Sequence, residues 1–156
     1  MTEERVWELL QEVKDPEIPV ISLVEMGMVN KVQVQDGIVQ IEVLPTFVGC
    51  PALEIMKRNI AEIVGVAEGV QEVRVQFVFE PAWTSDRISD VGREKLKTFG
   101  IAPPPELLQI EESFDVPCPF CGSSNTRLDN LFGPAACRSI LYCDSCKNPF
   151  EAMKPV

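Results

Sequence analysis

Histidine is absent from the 156 residues. That excludes a Ser–His–Asp triad, a Cys–His nucleophile pair, a Cys2His2 finger and the two-histidine facial iron site. Metal ligation falls to thiolates or carboxylates, and acid–base work to Asp, Glu, Lys, Cys or the single tyrosine, Tyr142. No apolar run reaches the roughly 18 residues that span a bilayer. The start, Met1-Thr2-Glu3-Glu4-Arg5, lacks the basic segment and apolar run of a secretory leader. The reading is a cytoplasmic protein with no membrane partner. In that reducing compartment cysteines serve as ligands or reactive thiols, not as disulfides. Basic residues are few, 14 against 24 acidic, for a net charge of −10. The one cationic cluster, Arg93, Lys95 and Lys97, reads as the solvated face of a short helix. A chain this acidic does not track a phosphate backbone, so nucleic acid is set aside as a partner. No internal repeat or low-complexity tract is present.

What is present divides in three. Residues 1–85 read as an α-β-β-α-β domain of the α/β class. Thr2 caps a helix whose apolar face is Val6, Leu9, Leu10 and Val13, with Lys14 near its end and Asp15-Pro16 as its stop. Pro16-Glu17-Ile18-Pro19 reads as a rigid extended link. Val29–Val34 and Ile38–Leu44 are β-rich and flank Asp36-Gly37, a strong hairpin signal. Pro51 suits the first position of a second helix with the stripe Leu53, Met56, Ile60, Ile63 and Val64, ended by Gly65 or Gly69. Val73, Val75, Phe77 and Phe79 alternate with polar residues as a third strand. Strand–helix–strand order implies that it pairs in parallel, so the three-stranded sheet is mixed. Residues 86–115 read as a short helix, with Ile88, Val91, Leu96 and Phe99 inward and Gly100 as its stop, followed by the stiff spacer Pro103-Pro104-Pro105.

Residues 116–156 carry the strongest motif. Cys118-Pro119-Phe120-Cys121 and Cys143-Asp144-Ser145-Cys146 are two Cys-x2-Cys pairs with 21 residues between them. Each pair wraps a tight turn and aims two sulfurs at one ion, and two such turns at the base of a hairpin complete a tetrahedron. This is a four-cysteine zinc ribbon, with an iron centre as the alternative. Ser124–Leu128 and Ala136–Tyr142 are the expected hairpin strands, with Phe132-Gly133-Pro134 near the bend. Four thiolates leave no open coordination position, so this metal is structural and not catalytic. Cys137 is a spare thiol, either a small buried hydrophobe or an accessory ligand for a metal in transit.

Cys50 stands where the second strand meets the second helix. A thiol at a helix start, beside Gly49, is placed to be reactive or metal-binding; the plainer alternative is a half-buried helix cap. Asp15, Glu17 and Thr46 are candidates to lie beside it. Asp15 is equally an ordinary helix terminator and Glu17 a solvated acid. Trp83 either packs in the core or covers the site, and packing is the commoner role.

Asp15-Pro16-Glu17-Ile18-Pro19, the run Ser22 to Val29, Pro45-Thr46-Phe47-Val48-Gly49-Cys50-Pro51 and Pro81-Ala82-Trp83-Thr84 resemble the motifs of the SufT-like metal–sulfur cluster assembly family. With the segment Asp86 to Pro103 and the four-cysteine tail added, the chain is similar end to end to the PaaD (or PaaJ) family of phenylacetate-degradation proteins. The resemblance implies an accessory protein, not a catalyst. It would mature iron or iron–sulfur centres of the phenylacetyl-CoA ring-epoxidase system, partnered by epoxidase subunits or their iron–sulfur reductase. It implies Cys50 as the working thiol, with Asp15 and Glu17 as the acidic motif. A non-catalytic scaffold subunit of the epoxidase complex is the alternative. Phe47 stands where the family often has tyrosine, so no proton-transfer role is assigned there. Oxygenase chemistry has no footing: there is no Glu-x-x-His site and no flavin or dinucleotide fingerprint. A single cysteine cannot hold a cluster. Further ligands must come from a second copy in a homodimer, the client, a small thiol, or Asp15, Glu17 or Cys137.

Overall fold

In a computed structural model the protein is described at residues 1–47, 49–105 and 116–156. Val48 of the motif around Cys50 and residues 106–115 of the Pro-rich linker lie outside the described residues. The chain forms two compact units, Met1–Trp83 and Thr84–Val156.

The first unit opens on helix α1, Glu3–Leu10, where the Thr2 hydroxyl accepts from the Arg5 N–H at 3.3 Å. The helix stops earlier than its apolar periodicity suggests. The N–H groups of Glu12 and Val13 bond three residues back, and the Val13 carbonyl accepts from Leu23. Val13 is thereby still buried, but beyond the end of the helix. The following segment is not an extended link either. The Asp15 carboxylate accepts from the N–H groups of Glu17 (2.8 Å) and Ile18 (3.1 Å), and the Asp15 N–H donates to Ile21 at 2.9 Å. Residues 15–21 therefore fold back on themselves, bent by an aspartate-centred turn. Ser22 and Glu25 then form a reciprocal capping pair, each side chain accepting the other's N–H at 3.0 and 2.9 Å. Gly27, at φ 68°, ends that single turn.

Strands β1, Val29–Gln35, and β2, Ile38–Val43, pair antiparallel across Asp36 and Gly37. Both turn residues have positive φ, 50° and 78°, as a two-residue hairpin requires. Val39, Ile41 and Val43 are buried while Gln40 is exposed, so the alternation seen in the sequence is the pleat itself. Helix α2, Leu53–Gly65, buries Met56, Ile60 and Val64. Strand β3, Glu72–Phe77, returns beside β2 in parallel, in register Val39 to Val73 and Val43 to Phe77. Phe79 lies past the strand end and is 51% exposed, because pairing ends at Phe77. Trp83 is buried, and its indole N–H donates to the Met26 carbonyl at 2.8 Å. Its role in the fold is core packing with a satisfied polar handle.

The second unit begins with a 3-10 turn, Ser85–Arg87, and helix α3, Asp90–Phe99, capped by Ser89 and ended by Gly100 at φ 93°. Ile88 and Leu96 are buried as expected, but Val91 and Phe99 are 57% and 45% exposed. This short helix buries only the narrow stripe through Gly92 and Leu96. Four strands follow: β4, Ile101–Ala102; β5, Thr126–Asn130; β6, Arg138–Cys143; and β7, Pro149–Met153. Their order is β4-β7-β6-β5, with β4 parallel to β7 and the other pairs antiparallel. The hairpin of β5 and β6 matches the sequence reading. Strands β4 and β7 do not announce themselves, being two and five residues long with Pro103 and Pro149 at their ends. Ala102, Val116, Leu141, Phe150 and Ala152 cluster with Cys118 and Cys143 as the core of this sheet.

A side chain at position 37 meets the turn geometry directly. A Cβ there would stand 2.9 Å from Gln71 Cγ, on a backbone with φ +78°. Gly37→Ala is expected to destabilise the first unit by about 1–2 kcal/mol, read from the urea midpoint. An unchanged midpoint would show that the turn is not built on a left-handed glycine.

Candidate metal centre and the Cys50 loop

Two knuckles bring the four ribbon sulfurs together, and they have the same construction. In the first, the Cys118 N–H donates to Ser123 O (2.9 Å) and the Gly122 N–H donates to Cys118 O (2.8 Å). In the second, the Cys143 N–H donates to Asn148 O and the Lys147 N–H to Cys143 O, both at 2.9 Å. Gly122 and Lys147 occupy equivalent places, at φ 74° and 62°. The residue after the second cysteine must turn left-handed to close the loop. Glycine does so without strain, and lysine does not. The knuckles are also tied to each other by a 2.8 Å hydrogen bond between the hydroxyls of Ser123 and Ser145.

The sulfurs of Cys118, Cys121, Cys143 and Cys146 all lie within 4.8 Å of one another. The Cys118–Cys146 and Cys121–Cys143 separations are 3.7 and 3.6 Å. Thiolates bound about 2.3 Å from a tetrahedral ion stand roughly 3.8 Å apart, so these residues fit a four-thiolate metal. Cys118 and Cys143 are buried and Cys121 is exposed. The Cys146 thiol is lowered to about 7, first by the Asn148 amide, which donates to its sulfur at 3.5 Å. At Cys121 the Ser123 N–H favours the thiolate. Lost hydration and the three neighbouring thiols outweigh it and push that thiol up to about 11. Four thiols this close cannot all ionise without a cation among them; a metal supplies that charge and releases their protons.

Cys50 is half-buried and lies before α2, not in it. Its carbonyl accepts from the Leu53 N–H at 3.4 Å, closing a turn through Pro51 and Ala52. Ala52, not Pro51, therefore sits at the helix boundary, and no side chain caps it. Phe47 and Gly49, just upstream, are exposed, and Gly49 has φ 76° with open space where a Cβ would be. Asp15 is buried with its carboxylate engaged by the turn at Glu17 and Ile18, while Glu17 itself is exposed. Among the described residues the ribbon cysteines form a convergent ligand group; Asp15, Glu17 and Cys50 do not form another. Cys137 is half-buried immediately before β6 and outside the four-sulfur group, its carbonyl accepting from the Lys154 N–H at 2.8 Å. The supporting residues Ser123, Ser145, Asn148 and Lys147 escape sequence reasoning. Position Gly122 alone hints at the knuckle geometry that Lys147 shares.

Comparison with known proteins gives two family matches within the chain. Residues 3–77 match a family described as iron-sulfur cluster assembly protein, and residues 102–154 match the PaaD zinc beta ribbon domain. A protein of Escherichia coli K12, named as one of the subunits of 1,2-phenylacetyl-CoA epoxidase, is 39% identical over 151 residues, covering 96% of this chain and 90% of that one. The chain belongs to the PaaD family. An Fe-S protein maturation auxiliary factor of Porphyromonas gingivalis is 34% identical over 90 residues, 57% of this chain and 85% of that protein. The crystal structure of a domain of unknown function, DUF59, from Bacillus anthracis aligns with a TM-score of 0.57 at 25% identity, covering 60% of this chain and 90% of its own. The chain thus joins a cluster-assembly type domain to a four-cysteine zinc ribbon. No helix among its described residues is long and apolar enough to cross a membrane.

Two outcomes test the ribbon. Asn148→Ala is expected to speed metal loss to a chelator about tenfold, because the amide no longer holds the Cys146 sulfur in place. Equal release rates would show that the amide does not position the ligand. Lys147→Gly should raise the stability of the metal-loaded ribbon by about 1 kcal/mol, read by thermal melting, since glycine relieves the left-handed backbone. A lower melting temperature would contradict that assignment.

Proposed function

We propose that the protein is a maturation factor that delivers iron or an iron–sulfur species to a client of the phenylacetyl-CoA ring-epoxidase system, with Cys50 as the transfer thiol. The observation that carries this reading is a half-buried cysteine on an exposed glycine turn at an uncapped helix start, in a domain of the iron–sulfur assembly type. A thiolate is a soft ligand suited to iron–sulfur species. One thiolate binds weakly enough to let its cargo go, and the remaining ligands come from the client, a small thiol, Glu17 or a second copy. Asp15 serves by fixing the turn that presents Glu17, because its own carboxylate is engaged there. The ribbon ion is Zn²⁺, held by Cys118, Cys121, Cys143 and Cys146 as a structural centre. The protein works in the cytoplasm on epoxidase subunits or their iron–sulfur reductase, and does not itself oxidise substrate.

Client epoxidase and reductase produced with the wild-type protein, with Cys50→Ser, or with none distinguish transfer from scaffolding. Transfer through Cys50 predicts that the Cys50→Ser sample resembles the sample with none in client iron, sulfide and activity. Full loading with Cys50→Ser would replace this reading with a non-catalytic scaffold. Elemental analysis of the full chain checks the ribbon: one zinc per chain is expected, unchanged by Cys50→Ser, and iron in its place would overturn the zinc assignment.

A further inference from the structure

From Leu131 to Cys137 seven consecutive residues, Leu-Phe-Gly-Pro-Ala-Ala-Cys, carry no charge, in a chain where charged residues make up 24%. They form the bend between β5 and β6. An apolar bend would ordinarily fold onto the sheet, yet Leu131 and Phe132 are 53% and 73% exposed, and Leu128 beside them is 49% exposed. Burying apolar side chains of this size is favourable, so their exposure needs a reason.

The bend is held in its exposed shape. The Gly133 N–H donates to Arg138 O at 2.9 Å, the Arg138 N–H to Ala135 O at 3.1 Å, and the Phe132 N–H to the Asn130 side chain at 2.9 Å. Lys154 donates to Ala136 O at 3.0 Å and sets its ammonium 5.0 Å from the centre of the Phe132 ring. Position 133 has to be glycine, since a Cβ there would stand 2.9 Å from Arg138 O. An aromatic side chain fixed outward on a rigid bend loses little entropy when it is covered, which is how binding hot spots work.

We propose that the bend 131–137, with Phe132 at its tip, is a docking knob for an apolar pocket bordered by a carboxylate on an epoxidase-system subunit. The charge follows from what surrounds the ring. No acidic residue lies between Asn130 and Ser139, and the ion beside Phe132 is the Lys154 ammonium. A carboxylate at the pocket rim meets that ammonium in an otherwise acidic chain of net charge −10. A knob needs a hollow, so seating it in a second copy would be a head-to-tail contact that chains copies together instead of closing a dimer. A different protein is the fitting occupant. The choice of subunit rests on the maturation reading above; the knob itself rests on the bend.

The test uses the full-length, metal-loaded protein and each purified epoxidase subunit and reductase, with affinity measured by calorimetry. The variants are Phe132→Ser, Gly133→Ala and Lys154→Gln, each checked for unchanged metal content. Expected are at least tenfold weaker binding for Phe132→Ser, a smaller loss for Gly133→Ala, and weakening with salt that Lys154→Gln abolishes. Binding by Phe132→Ser within twofold of wild type would overturn the knob and leave the maturation reading standing. Binding of no subunit by the wild-type protein would overturn the stated partner, whatever the client-loading result. Self-association of the wild-type protein that Phe132→Ser removes would make a second copy the occupant and overturn the proposal in that way.

Discussion

Four thiolates meeting at one point govern the C-terminal half of this chain. Cys118 and Cys143 belong at once to the metal tetrahedron and to the small apolar cluster of Ala102, Val116, Leu141, Phe150 and Ala152. That cluster is thin for a sheet of four strands, two of which are mostly exposed or very short. A unit with so little apolar surface to bury draws on ligation for its folding free energy. The supporting bonds follow from the same demand. Repeated N–H to carbonyl closures in both knuckles, the Ser123–Ser145 bridge and the Asn148 amide all fix sulfurs whose mutual repulsion only a cation relieves.

The first unit depends instead on an apolar core, and that difference explains what could be read from sequence. The hairpin at Asp36-Gly37, the parallel return of Val73–Phe77 and the two cysteine knuckles are written in local chemistry: positive-φ turn residues, period-two alternation, paired ligands at fixed spacing. Sequence reasoning failed where a long-range bond overrides local preference. The periodicity of Val6, Leu10 and Val13 suggests a longer helix, but the Val13 carbonyl is taken by Leu23 and α1 ends at Leu10. Asp15-Pro16-Glu17-Ile18-Pro19 looks extended because of its prolines, yet two N–H bonds to one carboxylate fold it into a loop. Strands as short as β4 leave no pattern to detect, since two residues show no period.

The candidate transfer site was legible as a position more than as a geometry. Cys50 stands out because it is the one cysteine of its unit and follows an exposed glycine. The sequence could not show that the Asp15 carboxylate is engaged in its own turn while Glu17 is exposed. Nor could it show that the helix starts three residues beyond Cys50, leaving the thiol on a turn of its own. A thiol held on a turn, and not inside a capped helix, can approach a client without unwinding any regular structure.

Retention and release make opposite demands on a metal site, and under the proposed function the two halves of the chain would divide them. Release requires few ligands and access. Cys50 offers one sulfur, half-buried on a loop whose glycine leaves room for another chain to approach. Retention requires a closed shell and burial, which the ribbon provides with four sulfurs, two of them inaccessible. A single site that met both demands would have to change its ligand number during each cycle, and four ligands anchored in two hydrogen-bonded knuckles resist that change. Under that proposal, separating a permanent ion from a passing one would let each half keep one coordination state. The ribbon is then free to be rigid, and a rigid ribbon can carry an apolar bend in a fixed outward position.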